Sequence, residues 1–342
     1  MRRRDFLKST GAAASAAATV GLAAAPADAA ALSKPAIGTG RRVLRLATSA
    51  GDDAGRGAGR GLAPFIRRVA SATDDRLQIE LVPAEAATGA ELTFDSAGHF
   101  EMLHPAFMFF AGMPTGRDLD ATAFAAWLGV GGGQGLWDDL AADHGMKMLA
   151  AGHSGASRGL WLRVARPTDG LAGLHVAAPA CARAILAAVG ARTADPTAVG
   201  APDAVEWLGG ATPFGYEPTH PNDAILQPGL FAGGRARWLA ISRPVWDRFS
   251  ASDRAVLEAC ACEAWMAALA EAAAEAEMRR VVAAARGFES QPLPPATRAA
   301  LAAAVADTVA DWANTDALAR RIAASYEAHR RSASPQSTIA QV

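Results

Sequence analysis

Apolar and polar positions along the chain fall into two recurring rhythms. Val43–Thr48 (VLRLAT) is a strand-length apolar run. Leu62, Phe65, Ile66 and Val69 then recur at helical spacing, and Leu77–Val82 (LQIELV) alternates as a half-buried strand does. A strand–helix–strand succession of this kind marks the α/β class. The theme returns at Leu160–Val164, a short apolar run read as a buried strand. Arg166–Gly173 carries turn residues and Leu174–Ala177 reads as a second strand. Pro179 suits the first turn of the helix that follows, and Gly190 stands where a helix end calls for a left-handed residue. Such a strand–turn–helix sets backbone N–H groups beside a crevice, where open α/β sheets bind small ligands. The same unit is equally compatible with no ligand at all.

Further along, an apolar lead-in places Glu206 and Trp207 at the end of a strand. Pro228–Gly234 is turn-rich and carries Phe231, and Trp238–Ile241 is again strand-like. From Ser250 the pattern is helical. Ser250 with Asp253 resembles a capping box, Gly287 ends a helix of unusual length, and Glu275 and Arg279 stand on it at i,i+4. A second helical stretch runs from Pro295 to about Ala328 with a break near Asn314, and residues 332–342 read as a disordered polar tail.

The amino terminus changes where this fold is expected to work. Residues 1–29 combine a basic start, an alanine-rich apolar run and an Ala27-Asp28-Ala29 cleavage pattern. Arg3, Arg4, Phe6, Leu7 and Lys8 match the twin-arginine signal R-R-x-F-L-K. Removing those 29 residues, with four basic and two acidic side chains, moves the formal net charge from −1 to −3. The expectation is a periplasmic protein with no membrane span beyond the signal, and the charge argues against nucleic acid as a partner.

Candidate chemistry is sparse. Three cysteines, Cys181, Cys260 and Cys262, make neither a disulfide framework nor a zinc motif, and are read as small buried side chains. The glycines of 51–61 fit no phosphate-binding pattern, the seven histidines form no metal motif, and G-x-S-x-G is missing. Phe100–Phe110 (FEMLHPAFMFF) reads first as core packing. An enzyme reading therefore has no nucleophile–base pair to stand on.

Five segments in order resemble the solute receptors of tripartite ATP-independent periplasmic (TRAP) transporters, in the branch that binds α-keto acids and related carboxylates. They are Trp127 with Gly131–Gly133 and Leu136-Trp137-Asp138, AGHSGASRGLWLR (151–163), DGLAGLHVAAP (169–179), DAVEWLGG (203–210) and PGLFAGG (228–234). The resemblance spans about Arg42 to Tyr326. It implies an α/β fold of two lobes joined by hinge strands, with residues 41–158 and 236–262 in lobe 1, 159–235 in lobe 2 and 263–331 as helices packing behind them. It also implies a small-molecule solute in the cleft, hinge closure, and membrane permease subunits as partners. A helix as long as 251–286 either packs across both lobes or pairs with a second copy to form a homodimer.

Carried over position by position, the resemblance implies an altered site. The family's ligand-binding arginine falls on Ala177, the asparagine before its T-G on His153, its metal-ligating glutamine on Ser157 and the glutamate of W-W-E-G-G on Ala232. Glu206 and Trp207 are retained. Trp207, Phe231 and the Phe107–Phe109 segment with Met108 are expected to line the cleft, with Glu206 its main charged group. Arg158 and Arg163 lie near enough in sequence to substitute, with at most one of them pointing inward. The family's metal site is expected to be lost, leaving no cofactor. Three readings stay open: a receptor with changed specificity, whose ligand would be neutral or cationic; a degenerate relative that acts through a protein partner; and an exported enzyme. If the leader is of the twin-arginine type, Arg3→Lys with Arg4→Lys holds the precursor in the cytoplasm; cell fractionation showing normal periplasmic yield would defeat that reading.

Overall fold

The computed structural model describes residues 40–48, 61–82, 89–96, 100–163, 170–194, 202–208, 224–285 and 289–333. The leader, most of the 51–61 glycines, Arg166, Gly287 and nearly all of the tail lie outside them, as does the Arg279 side chain. Residues from Gly40 onward cluster as one unit. Its strands are β1 (Arg42–Thr48), β2 (Leu77–Val82), β3 (Leu92–Ser96), β4 (Met146–His153), β5 (Leu160–Leu162), β6 (His175–Ala177), β7 (Arg192–Ala194), β8 (Ala204–Glu206), β9 (Ala224–Gln227), β10 (Ala236–Ser242) and β11 (Glu289–Pro292). The helices are α1 (Leu62–Ala72), α2 (Ala121–Gly129), α3 (Gly133–Ala142), α4 (Arg183–Ala187), α5 (Arg243–Asp247), α6 (Ala251–Ala285), α7 (Pro295–Ala313) and α8 (Ala317–Ala333).

Two mixed sheets result, ordered β2-β1-β3-β10-β4 and β11-β9-β5-β8-β6-β7. In the first, β10 alone runs against its neighbours β3 and β4; in the second, β5 alone runs against β8 and β9. That polarity has a consequence for the connections. The chain leaves β4 at the carboxyl edge of the first sheet and enters β5 at the carboxyl edge of the second. It returns from β9 to β10 between the same two edges. Residues 154–159 and 228–235 are these two crossings, and carboxyl edges are where open sheets bind ligands.

The first sheet packs α1 and α6 on one side around Leu44, Leu46, Phe65, Val69, Leu239 and Leu257. The main core is aromatic. Phe110 lies between Trp127 and Trp137 at ring separations of 5.1 and 5.0 Å, and Tyr326 of α8 meets Trp127 edge-on at 5.0 Å. Two polar ends inside it find backbone partners, the Trp238 indole donating to the Phe110 carbonyl (2.7 Å) and the Tyr326 hydroxyl to the Arg117 carbonyl (3.1 Å). Three expectations change. Phe107, Met108 and Phe109 are fully buried in this core, Phe107 against Phe100 and Trp238 and Phe109 against Tyr326. Cys262 is exposed while Cys181 and Cys260 are buried, because residues two apart on a helix face different ways. The segment Glu289–Pro292, assigned from sequence to the helical region, pairs with β9 and so completes the second sheet.

The capping box at the start of α6 forms and reaches further. Ser250 Oγ accepts the Asp253 amide (3.1 Å), and Arg76 pairs with the Asp253 carboxylate. Burial raises the Asp253 pKa, but the hydrogen bonds from Arg76 and Ser250 outweigh it and hold the group below its ordinary value. A depressed carboxylate contributes stability that is full above the unfolded pKa of about 4 and fades as pH falls through the lower folded value. Asp253→Asn is expected to cost about 1 kcal/mol at neutral pH. In urea denaturation, the gap between wild type and variant should shrink as pH falls below about 4; a constant gap would exclude the ionic contribution.

Candidate functional site

The two crossings run side by side and hold each other. The Ser154 amide donates to the Arg235 carbonyl and the Arg235 amide to Ser154 Oγ, both at 2.9 Å; the Ser157 amide donates to the Ala232 carbonyl at 3.1 Å. Close approach dictates the glycines here. Gly234 has φ of 84°, and a side chain on it would meet the Gly155 carbonyl oxygen at 2.0 Å.

Glu206, at the end of β8, is the knot of the site. It is fully buried, and its Oε1 accepts from Ser157 Oγ at 2.5 Å and from the Phe231 amide at 3.3 Å, while Oε2 accepts the Leu230 amide at 2.9 Å. Ser157 Oγ in turn accepts the Gly159 amide at 3.1 Å. Burial pushes the Glu206 carboxyl above the usual carboxylate range, and these donors together with the charge of Arg235 pull it partly back. Trp207 is fixed by its backbone, which donates to the Gly159 carbonyl and accepts from the Arg158 amide, both at 3.0 Å.

The remaining sequence candidates separate. Ser157 and Ala232 line a cavity of about 510 Å³ with Arg158, Gln227–Gly229 and Ser290–Pro292, at the β11-β9-β5 part of the second sheet's edge. Ala177 and Trp207 instead pack with Trp161, Val205 and Ile225 on one face of that sheet. His153 is buried, its Nδ1 accepting the Gly155 amide (3.0 Å) and its ring 4.9 Å from that of Trp265. Phe231 is buried. Arg158 stands at the cleft end of β5, whereas Arg163 is at its far end, over the Trp161 ring at 5.6 Å.

Sequence reasoning passed over Arg235. It stands at the last position of the second crossing, is 4% exposed, and lays its guanidinium 4.7 Å over the Phe231 ring. Its Nη1 lies 2.9 Å from Cys181 Sγ, in the turn that follows β6. The signal for it was positional: an arginine immediately before the one strand that enters the first sheet at its carboxyl edge.

No family model and no curated protein matches this sequence. Solved structures do. A TRAP periplasmic solute-binding protein from Pseudoalteromonas atlantica, with bound sodium and pyruvate, superposes with a TM-score of 0.74 at 19% identity over 85% of this chain and 94% of that one. A TRAP transporter solute-binding protein from Bordetella bronchiseptica gives 0.75 at 19% identity over 86% and 93%; it is a mixed-occupancy dimer with calcium and picolinate. One from Chromohalobacter salexigens, with bound (S)-2-amino-1-propanol, gives 0.66 at 15% identity over 85% and 96%. The chain has the fold of the TRAP solute-binding proteins. Within that fold Ser157 and Ala232 line the cavity, Ala177 packs on the sheet face, and Glu206 is bound by its own chain.

Removing the Glu206 carboxylate leaves three donors facing nothing. Glu206→Ala is expected to cost about 3 kcal/mol. Glu206→Gln keeps one acceptor oxygen, enough for the Leu230 amide, and should cost less. Urea denaturation separates the two; equal losses would show that these hydrogen bonds do not hold the crossings.

Proposed function

We propose that this chain is an exported receptor of the TRAP type that captures a small organic solute between the carboxyl edges of its two sheets. Closure takes place about the 154–159 and 228–235 crossings, and membrane permease subunits receive the solute. The observation that carries this reading is the pairing of two ligand-type sheet edges joined by two adjacent crossings. Proteins of the same fold bind pyruvate, picolinate and succinate, and one binds an amino alcohol. Periplasmic delivery by the twin-arginine leader belongs to the same proposal, and no described helix is long and apolar enough to cross a membrane.

Specificity in this reading differs from that of keto-acid receptors that use a cation. Ser157 and Ala232 bring no carboxylate or amide oxygen, and both Glu206 oxygens are taken by hydrogen bonds, so a cation would find few of the oxygen ligands it needs. Among the described residues, no group of three His, Cys, Asp or Glu gathers to hold one. A homodimer through α6 is also part of the proposal, supported by the exposure of Met266 (60%), Met278 (57%) and Val281 (53%) along that helix.

A ligand that binds only the folded protein raises its melting temperature. A thermal-shift panel of small acids, their amides and amines is expected to give at least one concentration-dependent rise in Tm. A flat response to every class would favour the degenerate relative that acts through a protein partner.

A further inference from the structure

Arg235 is a buried guanidinium whose donors are only partly used. Nη1 meets a thiol, which is a weak acceptor, while Nε and Nη2 have no hydrogen-bond partner. Those two atoms form one edge of the planar group, the edge whose parallel N–H bonds fit a carboxylate bidentately. Leaving that edge unmet inside the protein is costly, so its state in this structure calls for an acceptor from outside the chain.

The carboxylates nearest in charge do not serve. Glu206 feels Arg235 electrostatically, yet its oxygens are engaged by Ser157, Leu230 and Phe231. Glu101 also feels Arg235, together with Arg183, but makes no hydrogen bond to the guanidinium edge. The group is also held in place. Phe231 lies against its face, Cys181 takes one nitrogen, and the Arg235 backbone is clamped by Ser154. Cys181 follows β6, the strand on which Ala177 stands, so Arg235 brings a positive charge from the opposite crossing to the β6 end of the cleft.

We propose that Arg235 is the anion anchor of this cleft, its Nε–Nη2 edge gripping the carboxylate of a small organic acid with no metal ion between them. The assignment rests on the receptor reading above and deepens it by naming the ligand class. It also reverses the sequence expectation of a neutral or cationic ligand facing Glu206. The enclosed position of the guanidinium requires the sheets to part about the crossings before the acid enters.

Isothermal titration in EDTA, with pyruvate, picolinate and succinate set against pyruvamide, picolinamide and succinamide, tests this on the mature protein. At least one acid is expected to bind while its amide does not. Arg235→Gln should weaken that acid by about 100-fold, and Arg235→Lys, a point charge without the fork, should restore only part of the loss. If the variants do not fold, a crystal structure of the wild type with the bound acid decides: its carboxylate must lie on Nε and Nη2. Binding by Arg235→Gln at wild-type strength, or an acid seated elsewhere, overturns the assignment. If amides or amines bind and no acid does, the receptor reading stands and the Arg235 assignment falls. If nothing binds, both fall.

Discussion

A single buried carboxylate ties the two crossings to the second sheet. Glu206 ends β8, yet its partners come from both crossings: Ser157 from the first, Leu230 and Phe231 from the second. An ionised carboxylate without partners could not be kept there. Three donors on two oxygens make it tolerable, and in doing so they fix the register of one crossing against the other. Gly229 shows how tight this is, since a side chain on it would meet Glu206 Oε1 and Ser157 Oγ at 2.5 Å. The Glu206 knot is therefore a constraint on how the two crossings can move.

The same hydrogen bonds bear on what the cleft can recognise. An oxygen that already accepts two donors offers little to a cation or to a ligand ammonium. Ser157 donates to Glu206 and accepts from Gly159, so its hydroxyl is occupied in both directions. The site is thus self-satisfied on its acidic side and under-satisfied on its basic side, where Arg235 stands.

How much of this could be read from sequence follows from which forces are local. Helices α1, α6, α7 and α8 and strands β1, β2, β5, β6, β8 and β10 announce themselves through their own periodicity and caps, and the break near Asn314 falls where α7 gives way to α8. Strand β4 (MKMLAAGH) is buried on both faces and shows no alternation, and β11 (ESQP) is polar and ends in proline; its pairing with β9 makes it a strand. The aromatic run at 105–110 was legible as core, but which residues it would meet was not, since Tyr326 and Trp238 lie far along the chain. Resemblance to a family singled out Ser157, Ala177, Glu206 and Ala232 as candidates. It could not reveal that Ser157 and Glu206, 49 residues apart, bond to one another. Nor could it point to Arg235, because comparison by position looks for a charge only where relatives keep theirs.

If Arg235 carries the positive charge as proposed, rather than an arginine on β6, the mechanics of binding change. An arginine on β6 would travel with the second sheet, so a ligand could dock on that lobe and wait for the other to close. Arg235 is anchored by its backbone to Ser154 and leads directly into β10 of the first sheet, while its side chain rests on Phe231 and Cys181. Parting the lobes must therefore either separate the guanidinium from Cys181 or carry the crossing with it. A ligand that completes the hydrogen bonds of this group contributes more to the closed arrangement than to the open one, where water can reach the same donors. By linkage, that difference in affinity is what would drive closure.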